Sequence, residues 1–191
     1  MDGIDWMTVA EIVPVTAALA VFGLMGALPP DATMVAFALC GAMIGFAPFN
    51  RPVAKLFLGD VGSLPVGLLL TWMLALLADQ GNLAAALLLP LYYLTDTTVT
   101  LLRRFARGEP VTQAHRTHFY QRAFDGGLTA QEIVARVFAT NVLLAGLAAL
   151  TLLGRSPGLA VTALAAGGFL VAALLWSFSR AGSKDAANGQ T

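Results

Sequence analysis

The stretch IVARVFATNVLLAGLAALTLL (residues 133–153), then Gly154-Arg155-Ser156-Pro157, then GLAVTALAAGGFLVAALLWSF (residues 158–178), decides the fold class. Each apolar run has roughly the 20 residues that a helix needs to cross a bilayer. The Arg-Ser-Pro break between them carries turn chemistry. Four further runs read the same way: residues 9–28, 32–49, 64–78 (the shortest) and 83–102. Pro29-Pro30-Asp31 and Asp79-Gln80-Gly81-Asn82 mark two more breaks. Alternating apolar and polar residues, the mark of a membrane barrel strand, are missing. The expected fold is all-α: a polytopic bundle of about six transmembrane helices over residues 1–180, with a disordered tail at 181–191.

Composition agrees. Of 191 residues, 58% are hydrophobic and 12% charged, with a mean hydropathy of +0.76. Soluble domains carry about twice that share of charge. The single cysteine, Cys40, cannot form an internal disulfide. Eleven basic residues balance eleven acidic ones, which argues against a nucleic-acid partner. The basic residues are not evenly spread. Arg51 and Lys55 lie in the 50–63 loop; Arg103, Arg104, Arg107, Arg116 and Arg122 lie in the 103–132 loop; Arg180 and Lys184 lie in the tail. Loops rich in Lys and Arg stay in the cytoplasm, so both termini and both long loops are expected there. No basic residue precedes Arg51, so the stretch that opens this sequence is not expected to be a secretory signal.

Three polar clusters fall on that face. In Lys55-Leu56-Phe57-Leu58-Gly59-Asp60-Val61-Gly62-Ser63, glycines bracket one carboxylate just before an apolar run. Glycines permit a tight turn and close approach of backbone N–H groups to an anion. Asp60 there can hold a hard cation such as Mg²⁺, or merely cap the next helix. Lys55 can meet a phosphate as a point charge. Asp2 and Asp5 are three apart and can share a cation, or be an exposed acidic terminus. His115, Arg116, His118 and Arg122 offer forks and donors for a diphosphate, or form a solvated basic loop. Asp96 lies inside the fourth run, and a carboxylate there is a functional candidate by default. Its expected partners are Arg103 and Arg104, two turns on. Gly41 and Gly45 are expected to allow close helix packing, and Asn141 an interhelical hydrogen bond.

At these clusters the sequence resembles the polyprenyl-phosphate N-acetylhexosamine-1-phosphate transferases, glycosyltransferase family 4, which includes phospho-N-acetylmuramoyl-pentapeptide transferase. Asp2-Gly3-Ile4-Asp5 resembles the family's Asp-Gly-x-Asp-Gly motif, with Trp6 in the place of the last glycine. Residues 52–64 are similar to its Pro-Ala-Lys-x-Phe-x-Gly-Asp-x-Gly-Ser-Leu signature, including Lys55, Gly59, Asp60, Gly62 and Ser63. Pro90 to Arg104 resembles its Pro-x-x-Asp-Thr…Arg-Arg span. Residues 115–122 lie where the family has a histidine-rich loop, with Tyr120 and Gln121 in place of adjacent histidines.

The resemblance implies a bacterial inner-membrane enzyme with its active site on the cytoplasmic face. It would move a sugar-1-phosphate from a UDP-sugar to polyprenyl (undecaprenyl) phosphate, releasing UMP, for cell-wall or surface polysaccharide. Mg²⁺ is the implied cofactor, with Asp60 as metal ligand and Asp2 and Asp5 completing the catalytic set. Lys55, Gly59, Gly62, Ser63, His115, Arg116, His118 and Arg122 would bind substrate. The family's N-terminal Asp-Asp motif has no counterpart in this chain. The chain is therefore expected to be the C-terminal portion of a longer enzyme, inactive alone, completed by a missing N-terminal half or a homodimer partner. A non-enzymatic membrane subunit and a small transporter are the alternative readings.

Overall fold

The computed structural model describes residues 3–110 and 117–188, with side-chain surroundings through residue 181. Among these residues there are eight helices and no strand: α1 (Met7–Leu24), α2 (Pro30–Phe46), α3 (Gly59–Asp79), α4 (Leu83–Leu88), α5 (Leu91–Ala106), α6 (Phe119–Asp125), α7 (Ala130–Gly154) and α8 (Pro157–Asn188). The all-α expectation is met. The last helix continues into the stretch read as a tail.

The termini of the helices follow from local chemistry. Thr129 and Glu132 open α7 with a reciprocal pair: Thr129 Oγ1 accepts from Glu132 N–H at 3.2 Å, and Glu132 Oε2 accepts from Thr129 N–H at 2.9 Å. Pro30 starts α2, where its missing N–H costs nothing. After α1, Ala27 N–H reaches back to Phe22 C=O across Gly26, which has φ +83°.

Among the described residues four helices are long and apolar enough to cross a membrane: α1, α3, α7 and α8 through Ala181. α2 is apolar but has only 17 residues. The fourth run departs from the sequence reading. It divides at Leu89-Pro90 into the six-residue α4 and the polar-rich α5. Proline lacks the N–H and clashes with the carbonyl four residues back, so one continuous span over 83–102 does not form.

α1 packs on α2 and α7, α4 on α3 and α7, and α8 on α6 and α7. The core holds Leu19, Phe22, Met73, Leu77, Leu88, Tyr92, Ile133, Leu144 and Phe178. The outward faces are also apolar: Leu68 on α3 is 71% exposed and Phe169 on α8 is 77% exposed. Hydrocarbon accommodates such faces at no cost, and water does not. The chain is a multi-pass membrane protein. Arg180 lies 3.9 Å over the Trp176 ring on α8, the kind of pair that suits a membrane interface.

Close helix approach occurs elsewhere than expected. A side chain at Gly41 or Gly45 would meet nothing within 4 Å. The tight contacts are Gly23 of α1 against Thr33 of α2, and Gly167 of α8 against Leu88, Leu144 and Leu91. Asn141 does join two helices: its Nδ2 donates to Ala10 C=O of α1 at 3.3 Å.

Candidate functional site

The segment before α1 is tied to the loop between α2 and α3. Trp6 takes a left-handed conformation, φ +65° and ψ −4°, that glycine adopts at no steric cost. Its backbone N–H donates to Asn50 Oδ1 at 2.9 Å and lies 3.1 Å from Asn50 C=O. Its indole N–H donates to Ala47 C=O at 2.7 Å. These bonds offset the strain of a bulky residue there. Asp5 Oδ2 accepts from Ala54 N–H at 3.1 Å. Asn50 is 1% exposed, and its Nδ2 donates to Leu56 C=O at 3.0 Å. Asn50 thus joins the first motif to the second, and the sequence reading passed over it.

The second motif has both glycines for stated reasons. Gly59 has φ +58°, in the left-handed region. Gly62 has no room: a Cβ would sit 2.6 Å from the Leu58 side chain. Asp60, in the first turn of α3, is exposed, as is Lys55; Ser63 is half-buried. The start of a helix favours a carboxylate electrostatically. Beneath this motif a groove of about 800 Å³ runs between α1, α3, α4 and α5. Ser63 and Leu58 line one end, and Leu68, Leu87, Thr8 and Glu11 line its walls.

Asp96 of α5 is fully buried. Its Oδ1 accepts from Phe119 N–H at 3.1 Å and from Thr100 Oγ1 at 3.3 Å. Its Oδ2 lies 3.7 Å from His118 Nδ1. The expected pairing with Arg103 and Arg104 does not occur. Arg104 Nε contacts Glu109 at 3.2 Å and its Nη2 donates to Pro110 C=O at 2.6 Å; Arg103 lies 4.5 Å over the Phe119 ring. Two helical turns rise about 11 Å, beyond the reach of a short aspartate side chain.

α6 closes the corner. His118 N–H donates to Gln121 Oε1 at 3.3 Å, and the His118 and Tyr120 rings stack at 5.6 Å. Tyr120 and Gln121 are buried. A Cβ on Gly3 would collide with the Gln121 side-chain amide and lie 3.2 Å from the Tyr120 hydroxyl. The positions where the family has histidines therefore pack against the first motif. Arg122 is exposed. Asp2, His115 and Arg116 lie outside the described residues.

The structure therefore joins Asp5, the 47–56 loop, α6 and Asp96 in one connected assembly. Sequence reasoning also missed Glu11 and Tyr92. Both are buried and lie close enough to Asp96 to feel its charge. Glu11 is the one charge in the first apolar run, so the test applied to Asp96 would have found it. Among the described residues no group of three His, Cys, Asp or Glu side chains could hold a metal. Asp60 offers a single carboxylate. That fits Mg²⁺ only where waters and substrate phosphates supply the remaining ligands.

Comparison with known proteins points the same way. Residues 1–78 match the model of glycosyl transferase family 4. Phospho-N-acetylmuramoyl-pentapeptide-transferase of Enterococcus faecalis (strain ATCC 700802 / V583) is 38% identical over 73 residues, which are 38% of this chain and 22% of that protein. The enzyme of the same name from Streptococcus suis (strain 05ZYH33) is 30% identical over 139 residues, 68% of this chain and 40% of that protein. That of Synechococcus sp. (strain JA-3-3Ab) is 30% identical over 153 residues, 76% and 43%. The chain thus spans less than half the length of these relatives. No solved structure matches. On its motifs and these likenesses, the chain is a partial member of glycosyl transferase family 4.

Proposed function

We propose that this chain carries the C-terminal part of a membrane transferase that moves an N-acetylhexosamine-type sugar-1-phosphate from a UDP-sugar to polyprenyl phosphate. An oxygen of the lipid phosphate attacks the phosphorus that bears the sugar. The diphosphate P–O bond breaks, and UMP leaves. The observation that carries this reading is the junction of three motif segments at one corner: Asp5 bonded to Ala54, Trp6 to Asn50, and Gly3 pressed against Gln121.

The chemistry suits the residues. Reactants and leaving group are all anionic, so catalysis rests on positioning and charge neutralisation. When bound, Mg²⁺ would neutralise diphosphate charge. Asp60 would supply its one protein carboxylate from this chain. Lys55 and Arg122 are exposed cations suited to phosphate oxygens. His118, and with it His115 and Arg116, would contact nucleotide or diphosphate. Asp5 holds the 50–56 loop against α1, and Asp2 would shape the nucleotide side. The groove of about 800 Å³ under Ser63 suits an apolar chain such as a polyprenyl tail.

Six spans with both termini in the cytoplasm complete the reading, with α2 as the shortest span and α4–α5 as the broken one. A longer partner segment, from a missing N-terminal half or a second copy, would supply the remaining acidic residues. The scarcity of metal ligands among the described residues also favours a second reading, a non-enzymatic membrane subunit. UMP release separates the two. The purified chain receives Mg²⁺, UDP-N-acetylglucosamine and undecaprenyl phosphate, alone and co-purified with the N-terminal half of a full-length family enzyme. The expected result is negligible turnover alone and turnover in the complemented sample. Absence of both turnover and UDP binding in the complemented sample would establish the subunit reading instead.

A further inference from the structure

We propose that Asp96 is a positioning residue for His118: it orients the imidazole, through the side-chain carboxylate, toward whatever anion the 117–122 segment meets. This rests on the reading above in which His118 contacts nucleotide or diphosphate. The two carboxylate oxygens act on consecutive residues. Oδ1 holds the Phe119 N–H at 3.1 Å, which fixes the backbone at the start of α6. Oδ2 faces His118 Nδ1 at 3.7 Å, somewhat longer than a hydrogen bond. Thr100, one turn along α5, donates to Oδ1 and locks the aspartate rotamer. Gln121 Oε1 fixes the His118 backbone N–H, and Tyr120 stacks on the ring.

Arg103 and Arg104, two turns along the same helix, do not reach the carboxylate: one lies over Phe119 and the other is committed to Glu109 and Pro110. Among the described residues Oδ2 has no hydrogen-bond donor, and the ionisable side chain recorded beside it is the His118 imidazole. The other ionisable groups around this corner are Tyr92 and Arg103 from α5, Glu11 from α1 and Tyr120 from α6, with Arg122 one turn further along α6. Of these, Glu11 and Tyr92 carry no positive charge, so neither takes the place of the imidazole beside Oδ2. A carboxylate beside Nδ1 favours the tautomer protonated there, which settles what the other ring nitrogen can do.

Asp96→Asn separates positioning from plain anchoring. Asparagine keeps an oxygen for Phe119 N–H and removes the charge that steers the ring. The test uses the 191-residue chain in detergent micelles, labelled with ¹⁵N-histidine and assigned with His115→Gln. The first readout is the His118 ring ¹⁵N shifts. Wild type is expected to show the Nδ1–H tautomer, Asp96→Asn a mixture, and Asp96→Glu partial recovery, all at unchanged helix content. The second readout is UDP affinity with Mg²⁺ in the sample complemented with the N-terminal half. Asp96→Asn and His118→Gln should each lose about tenfold, and the double variant no more than either alone. Ring signals that stay the same in Asp96→Asn would overturn the proposal, as would losses that multiply in the double variant. If the complemented wild type binds no UDP, the transferase reading fails by itself. The ring signals still decide the coupling.

Discussion

Asp60 and Asp96 are both motif carboxylates, and the fold treats them in opposite ways. Asp60 is exposed in the first turn of α3, between a glycine with φ +58° and one with no room for a side chain. Asp96 is fully buried and engages Phe119, Thr100 and His118. The exposed carboxylate is available to a ligand arriving from water. The buried one is committed to holding α6, and through it the histidine segment. Substitutions can separate these two roles.

The largest effect should come from Asp60→Asn. In the complemented enzyme it should lower UMP release on the order of a hundredfold or more, while the thermal midpoint in detergent stays in place. A turnover within threefold of wild type would remove Asp60 from the chemistry. Asp96→Ala should behave in the reverse order. It strands the Phe119 N–H in a buried place, and loss of that bond should destabilise the chain by about 2 kcal/mol in a denaturation titration. An unchanged midpoint would show that α6 is held by other contacts.

Gly59→Ala tests whether the loop before Asp60 is set by backbone shape. An L-residue at φ +58° should cost about 1–2 kcal/mol and blunt Mg²⁺-dependent UDP binding. The smallest expected change is Trp6→Phe. It removes the indole bond to Ala47 and should cost about 1 kcal/mol, with α1 otherwise unaltered. Trp6→Gly is the informative companion, because it relieves the left-handed strain while losing the same bond. If it melts higher than Trp6→Phe, backbone strain at position 6 outweighs ring packing.

The apolar elements were legible because hydropathy over 20 residues reports burial in lipid directly. Residues 133–153 and 158–178 lie inside α7 and α8, and the Arg155 turn falls where Ser156-Pro157 places it. The 83–102 run was misread for the same reason it was noticed. A window averages over Pro90, whereas proline breaks a helix at one residue. Asp96 was identified as special, but its partners were not. Helical periodicity ranks neighbours within one helix, and Phe119 comes from another, 23 residues away. Asn50 carried no signal at all: a polar residue in a polar loop looks ordinary until Trp6 N–H and Leu56 C=O close on it. Gly41 and Gly45 matched a packing pattern, but spacing does not say whether another helix faces them.

The central claim is that the N-terminal motif and α6 belong to one assembly. In a Cys40→Ser background, cysteines at Gly3 and Gln121 can be joined by a short bifunctional maleimide in native membranes, with both thiols first shown to react with a monofunctional reagent. The account predicts efficient intramolecular cross-linking, lost in denaturant and reduced by Asp96→Ala. Two reactive cysteines that never join in the folded protein would contradict it.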